Sequence, residues 1–208
     1  MIPIKEKWQS ALEKRHGKEL QEKISGTAVA ICGLGGLGSN IAISLARAGI
    51  GKLILIDFDK VDITNLHRQQ YKACQIGMNK SDALRENLLE IAPYLHIETH
   101  TERLTEDNIT KLLKDADFIC EAFDVAESKA MLVNEVLEKM PNKYLIAASG
   151  MAGLGDANLI KTRKITSNFY VCGDEVSDVK DGIGLVSSRV MLCASHQAHI
   201  VLQLINSK

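Results

Sequence analysis

Residues 33–69 read GLGGLGSNIAISLARAGIGKLILIDFDKVDITNLHRQ. Gly33, Gly35 and Gly38, with Gly36 between them, fall at the spacing G-x-G-x-x-G between a short apolar run and a helical pattern over 38–48. A strand that turns sharply into a helix aims backbone N–H groups and the positive helix end at the space above it, which suits a phosphate. Asp57 ends the next apolar run nineteen residues after Gly38, where a carboxylate can hold ribose hydroxyls. A bare structural turn would need the glycines but not the acid, so together they favour a nucleotide.

Outward from this stretch the pattern alternates. Strand-like runs TAVAICG, KLILID, LHIETHT, DFICEAF and KYLIAAS are separated by helical patterns over 38–48, 80–91, 105–114 and 126–139, with a polar loop from 58 to about 78. This order predicts an α/β, Rossmann-like fold: a mostly parallel sheet with helices on both faces. Trp8, Leu12, Leu20 and Ile24 place one helix over 4–24 in front of it. Beyond Gly150 the rhythm changes to two strands, near 157–164 and 168–172, which extend the sheet antiparallel. The acidic, glycine-containing segment 173–183 then reads as a mobile loop before a closing helix over 185–205. The expected organisation is one domain over 1–208, with the N-terminal helix in 1–25, a nucleotide-binding core in 26–150 and the strands, loop and closing helix in 151–208.

Composition narrows the classes. The 208 residues are 46% hydrophobic and 25% charged, enough for one good core. The apolar runs are too short to cross a membrane and the N-terminus lacks the apolar stretch of a signal peptide, so the expectation is a soluble cytoplasmic protein. A net charge of -1 and the lack of a basic cluster with interleaved aromatics give no pull toward nucleic acid. Five scattered cysteines without a C-x-x-C pair indicate neither a disulfide framework nor a zinc clip.

The residues after Asp57 bear on which nucleotide binds. Arg68 offers a planar donor fork for phosphate oxygens, Asn65 and Gln69 offer neutral hydrogen bonds, and Lys80 offers a compact charge. Each has an ordinary alternative as a turn residue, surface ion pair or solvated amide. Lys80 opens helix 80–91 behind Asn79, a cap candidate, where a cation opposes the helix dipole by about 0.3–1 kcal/mol unless an anion lies nearby. Asp124 follows DFICEAF at the carboxyl edge of the sheet and could hold magnesium together with substrate phosphates. With Glu127 it also spells D-x-x-E, a capping-box start for the next helix, and spacing leaves both roles open.

The segments GLGGLGSN, DFDKVDITNLHRQ, IGMNK and EAFD, in that order, resemble the adenylating enzymes of the ThiF, MoeB and HesA superfamily, relatives of ubiquitin-activating enzymes. SGMAGLGDANLIKT, YVCGD and the closing SSRVMLCASHQAHIVLQLI look closest to the short ThiF proteins of thiamine biosynthesis. The resemblance implies ATP, Mg2+ and a ThiS-like sulfur-carrier protein whose terminal Gly-Gly carboxylate becomes an acyl adenylate. It implies ribose at Asp57, phosphates at Asn65, Arg68, Gln69 and Lys80, and magnesium at Asp124, so that Arg68, Lys80 and Asp124 carry the catalysis. It further implies a homodimer in which Arg15 is the candidate to reach the partner's site, a sulfur donor enzyme as a further partner, and Cys172, then Cys74, as candidate thiols for a covalent link to the carrier. Longer relatives carry two C-x-x-C zinc pairs that this chain lacks, so no zinc is expected. His67 fills the position between Leu66 and Arg68, and a carboxylate nucleophile needs no general base. Competing readings are a nicotinamide-dependent oxidoreductase, which leaves Arg68 and Lys80 unexplained, adenylation of a small-molecule or RNA-linked carboxylate, and a binding module without turnover.

Overall fold

Seven strands form one sheet in the order β3-β2-β1-β4-β5-β7-β6 in a computed structural model that describes residues 2–208. β1 (Ala28–Cys32), β2 (Lys52–Ile56), β3 (His96–His100), β4 (Phe118–Glu121) and β5 (Tyr144–Ala148) are parallel. β7 (Phe169–Gly173) joins β5 in the same direction, and β6 (Lys161–Lys164) closes that edge antiparallel to β7. The chain lays β2 and β3 on one side of β1, then crosses to β4 on the other. This reversal opens a crevice above the carboxyl ends of β1 and β4, where open α/β sheets bind ligands.

Strand alternation builds two cores. Val29, Ile31, Leu53, Leu55, Phe118 and Cys120 face α3 (Gly36–Ala48), α4 (Lys80–Ile91) and α7 (Ser187–Ser207). Ala30, Cys32, Ile54, Ile56 and Ile119 face α5 (Ile109–Leu113) and α6 (Ala126–Lys139). Successive side chains of a strand point to opposite faces, so continuous apolar runs are what a sheet covered on both sides requires. Phe118 is fully buried and stacks on its cross-strand partner Tyr144, ring centroids 5.0 Å apart.

Four expectations need correction. The helix over 4–24 is two helices, α1 (Lys5–His16) and α2 (Lys18–Ser25), because Gly17 at φ 86° and ψ 148° leaves the helical region. The helix over 105–114 shortens to α5, since Asn108 Oδ1 accepts from the Thr105 N–H and holds a turn there instead. The strand near 157–164 starts only at Lys161; residues Ala157–Leu159 form a 3-10 turn whose first N–H groups are drawn to Asp156. Finally, Asn79 stands at the N-cap of α4 without a side-chain cap bond, its amide going to Asp82 at 2.9 Å.

Candidate functional site

The glycine turn is shaped by close approach. Gly33 has φ 92°, and a Cβ on Gly38 would lie 1.9 Å from the Gly33 carbonyl oxygen, so strand and helix meet only where no side chain intervenes. The peptide groups of Leu34 are fixed from both sides. Its N–H donates to Asp57 Oδ2 at 2.6 Å and its carbonyl accepts from the Tyr71 hydroxyl at 2.7 Å. Asp57 therefore sets the turn as well as offering lone pairs to a ribose, because a carboxylate has about four acceptor positions and Leu34 and Asp59 N–H groups use two. Burial pushes the Asp57 carboxyl above its ordinary value, against the pull of Lys80 and of those two N–H groups.

Beside the turn, a polar ladder holds the 65–71 segment. Asn40 Nδ2 donates to the Gly36 and Arg68 carbonyls at 2.6 and 3.3 Å, while its Oδ1 accepts from Gln70 Nε2 at 2.8 Å. Asn87 Nδ2 donates to the Gln70 carbonyl at 2.9 Å, tying in α4. These bonds position Arg68 and Gln69. Gln69 Nε2 donates to Asn65 Oδ1 at 3.0 Å, whereas Gln69 Oε1 and Arg68 Nε are buried without a hydrogen-bond partner among the described residues. Unpaired buried polar atoms are costly, about 1–3 kcal/mol each, and these two belong to neighbouring residues that both line one cleft.

That cleft has a volume of about 550 Å³ and gathers Gly33, Gly35, Gly36, Asp57, Asn65, Arg68, Gln69, Lys80 and Asp124 along one wall and rim. Gly38 lies behind the turn, buried in α3. Lys80 is 5% exposed, with Nζ 2.9 Å from Asp59 Oδ2 and 3.9 Å from Asp57 Oδ2. Asp59 thus supplies the anion that offsets the helix dipole, so Lys80 does not by itself demand a phosphate. Asp124 is exposed and makes no hydrogen bond among the described residues. α6 is capped at Val125 without a side-chain bond, so the capping-box reading of Asp124 and Glu127 fails and the carboxylate stays available at the rim. A single carboxylate sharing a cation with substrate phosphates is the usual way magnesium is held, and Asp124 fits that part.

Two candidates lie elsewhere. Arg15 is exposed on α1 and does not line the cleft of its own chain. Cys172 is fully buried in β7, where burial pushes its thiol up to about 11 and Thr162 Oγ1 lies 3.6 Å from its sulfur. A buried, protonated thiol is a poor nucleophile, which corrects its ranking above Cys74, the exposed cysteine of the five.

Sequence reading missed four contributors. Tyr71 stands outside the quoted motifs and Asn40 closes the segment GLGGLGSN, and spacing does not show what each does, a hydrogen bond to the Leu34 carbonyl from Tyr71 and to the Gly36 and Arg68 carbonyls from Asn40. Glu121, 1% exposed, accepts two 2.8 Å bonds from Lys129 Nζ and one from the Phe123 N–H at 2.7 Å, and so fixes the turn that carries Asp124. Their signal would have been the i, i+8 pairing of an acid at a strand end with a lysine one helical turn into the next helix.

Fold and cleft define an open α/β protein with a nucleotide-type crevice at the topological switch point. The model of the ThiF family matches residues 9–208, and the chain belongs to that family. It is similar to the adenylyltransferase and sulfurtransferase MOCS3 of Aedes aegypti, 37% identical over 127 residues, which are 60% of this chain and 29% of that protein. It is also similar to the ubiquitin-like modifier-activating enzyme 5 of Drosophila virilis, 43% identical over 104 residues, 50% of this chain and 26% of that protein. The match thus spans less than a third of either relative. In fold it resembles the tRNA N6-threonylcarbamoyladenosine dehydratase TcdA of E. coli, solved in complex with ATP, with TM-score 0.87 at 20% identity over 99% of this chain and 98% of that one. No helix among the described residues is long and apolar enough to cross a membrane.

Proposed function

We propose that the chain is an ATP-dependent adenylyltransferase acting on the C-terminal Gly-Gly carboxylate of a ThiS-like, ubiquitin-like sulfur carrier. One observation carries the reading: Asp57, Asn65, Arg68, Gln69, Lys80 and Asp124 line one cleft beside the glycine turn, a set of donors and carboxylates suited to a ribose and its phosphates. A carboxylate oxygen attacks the α-phosphorus, the bond from that phosphorus to the bridging oxygen breaks, and pyrophosphate leaves. The reaction asks little covalent chemistry of the protein and much alignment and charge stabilisation.

Ile56 and Glu121 both pair with Cys32, two strand spacings or about 10 Å apart, and Asp57 and Asp124 follow them at the same edge of the sheet. Asp57 holds the ribose, the glycine-turn N–H groups face the phosphates, and Arg68 and Lys80 take the charge that grows on the leaving pyrophosphate. Lys80 moves from Asp59 to a phosphate oxygen without leaving its pocket. Magnesium at Asp124 would neutralise phosphate charge. A homodimer belongs to the same proposal, since Arg15 reaches a nucleotide only in a second copy. The pathway we assign is thiazole formation for thiamine, with a separate enzyme as sulfur donor, and the whole chain acts as one adenylating domain.

The test is pyrophosphate exchange into ATP with Mg2+, with and without a Gly-Gly-ended carrier. Carrier-dependent exchange that falls about 10²–10³-fold in Arg68→Ala is the expected result. Exchange driven by a small carboxylic acid instead would move the acceptor class, and ATP binding without exchange under any acceptor would sink the adenylation reading.

A further inference from the structure

His67 is exposed next to the cleft and touches two residues that line it, Arg68 and Leu185. Its Nδ1 lies 3.0 Å from the Thr64 carbonyl, while its Nε2 lies 3.2 Å from Arg68 Nη1 and 3.3 Å from the Leu185 carbonyl. One ring nitrogen cannot serve both. As a bare lone pair it accepts from the guanidinium and leaves Leu185 unserved; carrying a hydrogen it donates to Leu185 and turns Arg68 away. Of these partners only Arg68 is charged, the other two being neutral carbonyls.

Leu185 belongs to the segment 174–186, a strap from which Ser177, Asp178, Val179 and Leu185 line the cleft. The strap is fixed at its start, where Asp174 accepts from Arg189 and from the Val176 and Ser177 N–H groups. Further ties run from the Ala152 N–H to Ser177 Oγ and from the Gly153 N–H to the Gly184 carbonyl, each 3.0 Å. Between the ties at Ser177 and Gly184 the side chains of Val179 and Ile183 are more than half exposed. His67 is therefore a direct tie from the strap to the segment that carries the phosphate-binding arginine.

We propose that His67 is a positioning residue that couples nucleotide binding to closure of the strap; the inference rests on the nucleotide reading above. Without a phosphate at Arg68, the Nδ1–H donates to Thr64 and Nε2 accepts from Arg68. When a phosphate takes the guanidinium, Nε2 is released from it, the single ring hydrogen moves from Nδ1 to Nε2 by exchange with solvent, and Nε2–H donates to the Leu185 carbonyl in place of the Nδ1 bond to Thr64. Nucleotide thereby tightens the strap before the acyl substrate is committed.

Hydrogen exchange of segment 174–186 in the full chain, with and without a non-hydrolysable ATP analogue and Mg2+, tests this alongside calorimetric binding of the same analogue. In the wild type the analogue should slow exchange there at least about fivefold. His67→Ala should still bind the analogue saturably while the slowing falls below about twofold. His67→Gln, whose amide can accept from Arg68 through its oxygen or donate to Leu185 through its nitrogen, should keep most of it. Full slowing in His67→Ala, or wild-type binding with no slowing, overturns the coupling. Absence of analogue binding in the wild type overturns the nucleotide reading, and the coupling with it.

Discussion

The wall from Gly33 to Lys80 and the strap from 174 to 186 face the same cleft and are held in opposite ways. Along the wall, nearly every turn is clamped by a side chain reaching a backbone group: Asp57 and Tyr71 on Leu34, Asn40 on Gly36 and Arg68, Asn87 on Gln70. The strap is pinned at Asp174–Ser177 and at Gly184 and exposes the side chains of Val179 and Ile183 between them. A phosphate site has to be ready before its ligand arrives, because preorganised donors need no rearrangement as charge develops. On the proposed reading a carrier terminus enters past the strap, and loops of low local stability supply the freedom to open and close.

The sharpest way to break the contrast is Gly38→Val. With a Cβ 1.9 Å from the Gly33 carbonyl oxygen, the turn has to move, at an expected cost above about 4 kcal/mol. Chemical denaturation should show the loss, and a stability within about 1 kcal/mol of wild type would mean that the wall is not preformed.

Tyr71→Phe is gentler. It leaves the buried Leu34 carbonyl without its hydroxyl donor and should cost about 1–3 kcal/mol, with nucleotide affinity falling in parallel. Stability lost without any change in nucleotide affinity would detach the clamp from the site.

At the strap, Asp174 supplies the smallest effect, and it depends on pH. Burial raises its carboxyl, but the Ser177 and Val176 N–H groups, the Ser177 hydroxyl and the Arg189 guanidinium outweigh burial and hold it at about 2. A depressed carboxyl stabilises the fold above its ordinary value of 3.8, and that contribution is lost as pH falls toward 2. Asp174→Asn should therefore lower stability by about 1–2 kcal/mol at pH 6 and by progressively less below pH 4. A pH-independent difference would assign the loss to packing.

Much of this molecule can be read from its sequence, and the reasons are local. Strands buried on both faces need unbroken apolar runs, so β1, β2, β4 and β5 stand out, and the glycine spacing marks the turn that joins β1 to α3. The residues 57, 65, 68, 69, 80 and 124 fall on segments whose ends the fold returns to one edge of the sheet. Helix boundaries were less legible: Gly17 and Asn108 interrupt patterns whose apolar spacing continues past them.

What the sequence determined by itself is therefore the alternation of elements, the glycine turn and the set of charged groups the fold delivers to it. Only the tertiary structure decided that Asp59 neutralises Lys80, that Asp124 does not cap α6, that Cys172 is sealed in the core and that His67 meets both Arg68 and the Leu185 carbonyl. The physical reason is range. Periodicity reports which face a residue shows to its own element, whereas hydrogen bonds and burial depend on which distant backbone arrives opposite it.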